Sequence, residues 1–142
     1  MDKGKYLLLH VGTGPVGNEY VGLDHFMKLL KRYPELPAIV AHMGAYEYKG
    51  FMDLLDENPR LYLDTAFAFF KEFDGKGSYD LGREALERHQ KRILYCSDFP
   101  NLILPRESEI ETLLRYELSD AFYERVFFVN GKELIERTVS GL

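Results

Sequence analysis

Four short apolar runs alternate with longer amphipathic segments along this 142-residue chain. The runs are bounded by turn-forming or charged residues, and most contain β-branched or aromatic side chains. Runs of this length and composition are typical of buried parallel strands. The predicted strands cover residues 6–11, 38–41, 61–66 and 92–96.

Six segments have the periodicity of helices that bury one face. In the first, Leu23, Phe26, Leu29 and Leu30 recur at helical spacing, and Pro34 ends the pattern because proline cannot continue a helix interior. Serine and asparagine are favourable N-caps, and they stand before three of the segments as Ser78, Ser119 and Asn130. The predicted helices cover residues 21–33, 46–58, 79–90, 107–116, 120–126 and 131–139, and residues 71–77 are predicted to form a loop.

A strand followed by a helix, repeated four times, predicts an α/β fold with a parallel sheet and helical crossovers. A complete TIM barrel has eight such units and about 250 residues. We therefore predict that residues 1–142 form a single domain, half of a TIM barrel with extra C-terminal helices. An open α/β layer is the alternative, and in either case something must cover two sheet edges.

Composition narrows the classes of function. The net charge of −5 and the lack of a basic patch argue against a nucleic-acid partner. No apolar run approaches the roughly 18–20 residues of a membrane helix, and the apolar stretch at residues 6–9 is too short for a signal peptide. With Cys96 as the single cysteine, no internal disulfide can form. These features predict a cytoplasmic protein that acts on a small molecule.

Each predicted strand ends in a histidine or an aspartate: His10, His42, Asp64 and Asp98. Parallel α/β proteins place their chemistry at the carboxyl ends of the strands, where these side chains would converge. Any one of them alone could be an ordinary cap or core hydrogen-bonding residue, but the set favours a site. Two imidazoles and a carboxylate are a usual ligand set for a catalytic divalent ion. We predict that His10, His42 and Asp98 bind zinc, with manganese or iron as alternatives.

Other residues give weaker signals. Gly12, Gly14 and Gly17 have the spacing of a dinucleotide-binding loop, but Pro15 removes a backbone donor and His42 stands where the ribose-binding acid belongs. We therefore predict that this loop lies on the rim of the active site, and a nucleotide site is its minority interpretation. His25 and His89 lie in predicted helices, and Cys96 is predicted to be a buried thiol.

Three segments resemble the amidohydrolase-related branch of the amidohydrolase superfamily, which includes metal-dependent hydrolases and aminocarboxymuconate-semialdehyde-type decarboxylases. They are Ala-Ile-Val-Ala-His-Met-Gly at 38–44, Arg-Leu-Tyr-Leu-Asp-Thr at 60–65 and Arg-Ile-Leu-Tyr-Cys-Ser-Asp-Phe-Pro at 92–100. Residues 127–134 resemble the closing helix of that family. The resemblance runs from about residue 10 to residue 135, and the segment that ends in Ser97-Asp98-Phe99-Pro100 is its most specific part.

The resemblance implies that these strands are the fifth to the eighth of a barrel. His10 would be the fifth-strand metal ligand, and Asp98 the eighth-strand aspartate, which binds metal and handles the proton of the attacking water. His42 would be the sixth-strand histidine, a ligand in some members and an acid/base group in the decarboxylases. Asp64 would have a structural role. The chain departs from the family in having Cys96 where many relatives have glycine, and in lacking the His-x-His or Glu-x-His pair of the first strand.

Three hypotheses follow. The first is a metal-dependent hydrolase or decarboxylase that acts on a small carboxylated or amide-like substrate, with Asp98 and His42 as the catalytic residues. The second is a catalytically inert fragment or remnant that lacks the first-strand ligands, and the third is a phosphate- or nucleotide-binding module. The exposed sheet edges also predict a homo-oligomer, or association with a complementing half-barrel.

Overall fold

The computed structural model describes residues 5–14, 17–69, 80–101 and 104–140, and within them it contains one four-stranded parallel sheet. The strands follow one another in space in chain order, so each crossover leads to the adjacent strand. This arrangement confirms the predicted α/β fold of successive βα units. The strands are β1 (Leu7–Leu9), β2 (Ala38–Val40), β3 (Leu61–Asp64) and β4 (Ile93–Leu94).

Each observed strand is shorter than its predicted counterpart, mainly at the carboxyl end. The predicted strands ended after residues 11, 41, 66 and 96, whereas the ladders end at Leu9, Val40, Asp64 and Leu94. The apolar runs continue past these points because the turns that follow are themselves buried: Ala41, Thr65 and Ala66 are all inaccessible or nearly so. Burial without strand pairing cannot be distinguished from a strand by an apolar run alone.

Helices lie between the strands and after the last one. They are α1 (Leu23–Arg32), α2 (Tyr48–Glu57), α3 (Arg83–His89), α4 (Arg106–Leu114), α5 (Asp120–Glu124) and α6 (Asn130–Ser140). A turn with left-handed backbone at His42, Met43 and Gly44 covers Ala41–Glu47, a short 3₁₀ segment covers Gln90–Arg92, and a π-helical segment, Arg125–Val129, joins α5 to α6. No described helix is long and apolar enough to cross a membrane. The predicted loop at residues 71–77 and the cap Ser78 lie outside the described residues.

Alternate strand residues face two separate apolar layers, as the two-residue period of a strand requires. Ala38, Val40, Leu61, Leu63 and Ile93 pack against Phe26, Phe51, Leu55 and Leu86 of the crossover helices. The intervening residues Tyr62 and Leu94 form a smaller cluster with Leu134 of α6, and Tyr6 and Ile39 pack against it. The layer under the helices is therefore the main core of the molecule.

The predicted cap at Ser119 is confirmed, whereas the predicted cap at Asn130 is wrong. The Ser119 side chain accepts a hydrogen bond from the Phe122 amide at 3.1 Å. Asn130 lies inside a continuous helical stretch, where it is buried and its side-chain amide donates to the carbonyls of Gln90 and Ile93 at 2.7 and 2.8 Å. Asn130 therefore fastens the C-terminal helices to the start of β4.

Candidate active site at the strand ends

A residue with left-handed backbone follows shortly after each of three neighbouring strands. His42 after β2, Phe67 after β3 and Asp98 after β4 have φ values of 57°, 59° and 55°. A residue with a Cβ pays about 1–2 kcal/mol for this conformation, so it persists only where the surroundings enforce it. Backbone strain of this kind is concentrated at functional sites. The three strand ends form one strained rim, which contains two of the three predicted site residues.

The turn after β2 is held by a carboxylate and a carbonyl from the end of β3. The His42 amide donates to Asp64 Oδ1 at 2.9 Å, and His42 Nδ1 lies 3.0 Å from the carbonyl oxygen of Ala66. Because a carbonyl only accepts hydrogen bonds, Nδ1 must carry the proton. The lone pair of a neutral His42 ring is therefore on Nε2, which is the nitrogen left for a proton or an ion.

Asp64 is a structural carboxylate, as the resemblance implied. Its side chain is buried, and Oδ1 also accepts a hydrogen bond from the Ala66 amide at 3.1 Å. Burial raises the pKa of Asp64, while the His42 amide, the His42 ring and the Ala66 amide oppose that rise. The charge of Asp98 raises this pKa further. The Asp64 carboxylate thus joins the turns after β2 and β3 through the His42 and Ala66 amides.

His10 is exposed and lies beside His42, with 4.9 Å between ring centroids and an angle of 70° between ring planes. Two glycines permit the approach of the two loops. A Cβ at Gly12 would overlap the Gly44 carbonyl, and a Cβ at Gly44 would overlap the Phe51 ring. The segment after β1 thus rests directly on the left-handed turn after β2. Sequence reasoning assigned Gly12 to a site rim but missed this reason for the glycine.

Thr65 joins the ends of β3 and β4. Its amide donates to the Leu94 carbonyl at 3.0 Å, and its hydroxyl oxygen accepts from the Cys96 amide at 3.1 Å. Burial raises the pKa of the Cys96 thiol, which keeps it protonated and argues against a nucleophilic role. The backbone amides of Asp98 and Ser97 oppose this rise. Cys96 therefore fills the rim as a neutral thiol beside Asp98.

The predicted metal centre is only partly assembled. His10 and His42 are neighbours, and Nε2 of His42 carries a lone pair that could bind a metal ion. This arrangement suits a pair of imidazole ligands. Within the described ranges, however, no three His, Cys, Asp or Glu side chains are grouped so that they could hold an ion. Catalytic zinc sites have three protein ligands. The described part of the chain thus offers an incomplete set of metal ligands.

The predicted nucleotide loop does not have a free helix N-terminus behind it. The first helical amide, Leu23 N–H, faces both carboxylate oxygens of Glu47 at 3.2 Å. A carboxylate at this position occupies the place that a phosphate would take. Residues 15 and 16 of the glycine-rich loop lie outside the described residues. The geometry therefore gives the nucleotide interpretation no support.

Comparison with solved structures identifies the architecture. A TIM-barrel protein from Bordetella bronchiseptica aligns with 97% of this chain at a TM-score of 0.77 and 19% identity, over 48% of its own length. A protein from Acinetobacter baumannii, described as a 2-pyrone-4,6-dicarboxylic acid hydrolase and solved with citric acid bound, aligns with 94% of this chain at a TM-score of 0.63 and 13% identity, over 53% of its length. A Pseudomonas putida protein with the same description aligns with 93% at a TM-score of 0.58 and 18% identity, over 51% of its length.

These likenesses define a class: a parallel α/β chain with the fold of part of a TIM barrel. This chain spans about half the length of each of these three proteins. The sequence profile of the amidohydrolase family matches residues 7–134, so the chain belongs to that family. A search of curated protein sequences gives no match.

Proposed function

We propose that this chain carries the strand-end rim of a hydrolase, and that His42 and Asp98 move protons during hydrolysis of a small carboxylated substrate. The observation that carries the proposal is the fixed His42 ring. Its Nδ1 proton is held by the Ala66 carbonyl, and its own backbone amide is held by Asp64. A ring whose tautomer and orientation are fixed in this way is suited to general acid–base catalysis at Nε2.

The roles of the two residues follow from their chemistry. The Asp98 carboxylate would accept a proton from the attacking water as its oxygen bonds to the substrate carbonyl carbon. The bond from that carbon to the leaving oxygen or nitrogen then breaks, and a His42 ring protonated at both nitrogens would donate its Nε2 proton to the leaving group. The proton taken up by Asp98 would then return to His42 Nε2, which restores both groups. A carboxylated substrate is favoured because two of the similar proteins are described as hydrolases of a dicarboxylic acid, and the structure of one of them contains citric acid.

The test is hydrolysis of 2-pyrone-4,6-dicarboxylate and related small carboxylate esters and amides by the full chain, with and without added divalent ions. His42→Ala and Asp98→Asn should each lower kcat by about 100-fold or more, as expected when a proton-transfer group is lost. His25→Ala is the control, because His25 is an exposed histidine of α1 that is not assigned to the site. Wild-type rates in both rim variants would refute the assignment.

A metal centre with His10, His42 and Asp98 as ligands is a separate proposal, and it requires Asp98 to move toward the imidazole pair, because the described residues do not group the three as a ligand set. It is supported by the adjacent imidazoles and by family membership. Elemental analysis of protein dialysed against zinc measures it directly: His10→Ala should lose stoichiometric metal, while His25→Ala should keep it. Equal metal content in the two variants would show that His10 is not a ligand.

The rest of the site would come from a second copy of the chain or from a complementing half-barrel. Strand β1 pairs only with β2 in the described residues, and Leu8 on β1 is 64% exposed. A sheet edge with exposed apolar side chains favours association. Light scattering should therefore show a dimer or a larger assembly, and Leu8→Lys should shift it toward monomer. A monomeric wild-type protein would contradict the homo-oligomer.

A further inference from the structure

The two rim histidines lie on separate segments of the chain that pack side by side. His10 begins residues 10–14, which we call the β1 segment, and His42 lies in Ala41–Glu47, which we call the β2 turn. Two glycines of the β1 segment lie directly against the β2 turn. Packing forces are non-directional, so close packing alone does not fix how the two segments lie along each other. A directional, polar contact is needed to set the spacing of the two imidazole rings.

Glu47, the last residue of the β2 turn, supplies such a contact to the start of α1. Its side chain is half-buried, and the Leu23 amide donates toward both carboxylate oxygens, each 3.2 Å away. The first amides of a helix have no partner within the helix itself, and a negative charge is favourable beside them. The contact is therefore a charge-assisted hydrogen bond that joins the β2 turn to α1.

The start of α1 is in turn fixed to the β1 segment. The Gly22 amide donates to the carbonyl of Val11, the residue after His10, at 2.7 Å. Gly22 has a φ of 120°, and a Cβ on it would lie 3.1 Å from Thr13 Cγ2 and 3.3 Å from Glu47 Oε2. Glycine at this position thus lets the β1 segment, the start of α1 and the Glu47 carboxylate meet. We call this series of contacts the Glu47 link.

We propose that Glu47 is a positioning residue, whose carboxylate holds the β1 segment against the β2 turn and so fixes the spacing of the His10 and His42 rings. For its catalytic meaning the inference rests on the proposed function, because His42 is assigned there as a proton donor. Its structural content is independent of any substrate. The required chemistry is an acceptor oxygen at the position of the Glu47 carboxylate, which glutamine retains and alanine does not.

The experiment is proton NMR of the histidine rings in the full chain at about pH 8, where an ordinary imidazole is neutral. The ring signals are assigned by their absence from His10→Gln and from His42→Gln. In wild type a nuclear Overhauser cross peak should join the two rings, because their centroids are 4.9 Å apart. Glu47→Ala should lose this cross peak, because the Leu23 amide has lost its acceptor, and Glu47→Gln should keep it.

Glu87→Ala is the matched control. Glu87 is also a half-buried glutamate that joins two helices, since its carboxylate accepts from the Ser119 amide and, at 2.9 Å, from the Ser119 hydroxyl before α5. This variant should lower stability and keep the cross peak. If Glu47→Ala does not fold, Glu47→Asp replaces it, because the shorter side chain withdraws the carboxylate from the Leu23 amide but keeps the charge. An unchanged cross peak in the alanine or aspartate variant would overturn the proposal, and so would its loss in Glu87→Ala.

Activity then separates this inference from the function on which it rests. With a substrate in hand, Glu47→Ala should lower kcat by about 10- to 100-fold, as a misplaced catalytic group does, and Glu47→Gln should restore most of the rate. If His42→Ala hydrolyses at the wild-type rate while Glu47→Ala loses the cross peak, the proposed function fails and the positioning role stands. If His42→Ala is inactive and Glu47→Ala keeps the cross peak, the positioning role fails alone.

Discussion

The helix-facing core and the strand-end rim differ in composition and in backbone geometry. The core consists of regular strands and helices joined by fully buried apolar side chains such as Phe51, Leu63 and Leu86. The rim consists of short turns with left-handed residues, and its polar groups are held by a few hydrogen bonds between neighbouring strand ends. Stability is thus concentrated in the core, whereas the rim has few alternative partners if one contact is lost. Substitutions at four residues test this difference, and one of the four is Glu109, an acid of α4 that is 1% exposed.

The largest expected effect is a pH-dependent one at Glu109. A carboxyl whose pKa rises from 4.5 unfolded to about 8 folded keeps its proton in the native state after the unfolded chain has released it. The free energy of unfolding therefore falls as pH rises from about 4.5 to about 8, by up to about 5 kcal/mol. Glu109→Gln cannot ionise, so its unfolding free energy should fall less across this window. Urea denaturation at pH 5 and pH 9 measures both proteins, and parallel pH profiles would contradict the burial of this acid.

Phe51→Ala should be the most damaging change in the core at neutral pH. Phe51 is fully buried, packs 5.6 Å from the Phe26 ring, centroid to centroid, and supports Gly44 in the turn beneath His42. Loss of a buried phenyl ring costs about 3–5 kcal/mol. Urea denaturation should show this loss, together with a change in His42 signals because the turn rests on the ring. A loss below about 1 kcal/mol would show that the core tolerates this cavity.

Asp64→Ala should cost about 2–3 kcal/mol, less than the core variant, because it leaves the amides of His42 and Ala66 without their acceptor. Asp64→Asn keeps one carbonyl oxygen and is the matched control, with a smaller loss expected. The two variants are compared by urea denaturation at pH 7. An equal loss in both would mean that the negative charge, and not the acceptor, holds the rim.

His10→Ala should leave the free energy of unfolding within about 0.5 kcal/mol of wild type, because the side chain is exposed and its loss creates no cavity. An intact fold in this variant is also what allows its loss of metal to be assigned to the missing imidazole. A loss of more than 1 kcal/mol by urea denaturation would show that the contact with His42 supports the fold.

Much of the fold could be predicted from the alternation of apolar runs and helical periods. The order of elements, the parallel sheet and the end of α1 near Pro34 all follow from local patterns. Strand ends were less accurate, since Thr65 and Ala66 are buried without being paired in the sheet. The cap assigned to Asn130 was wrong because its side chain bonds to the distant Gln90 and Ile93 carbonyls. A pattern within one helix cannot reveal partners about 40 residues away.

The candidate site divides in the same way. The sequence by itself determined that His10, His42, Asp64 and Asp98 stand near strand ends, since the residues next to an apolar run along the chain show about where a strand stops. Only the tertiary structure decided that His42 is held by Asp64 and Ala66, that Gly12 lies against Gly44, and that Glu109 is buried. These contacts join segments far apart in sequence, and their energies come from burial and from cross-strand hydrogen bonds. Both arise only when the elements pack together.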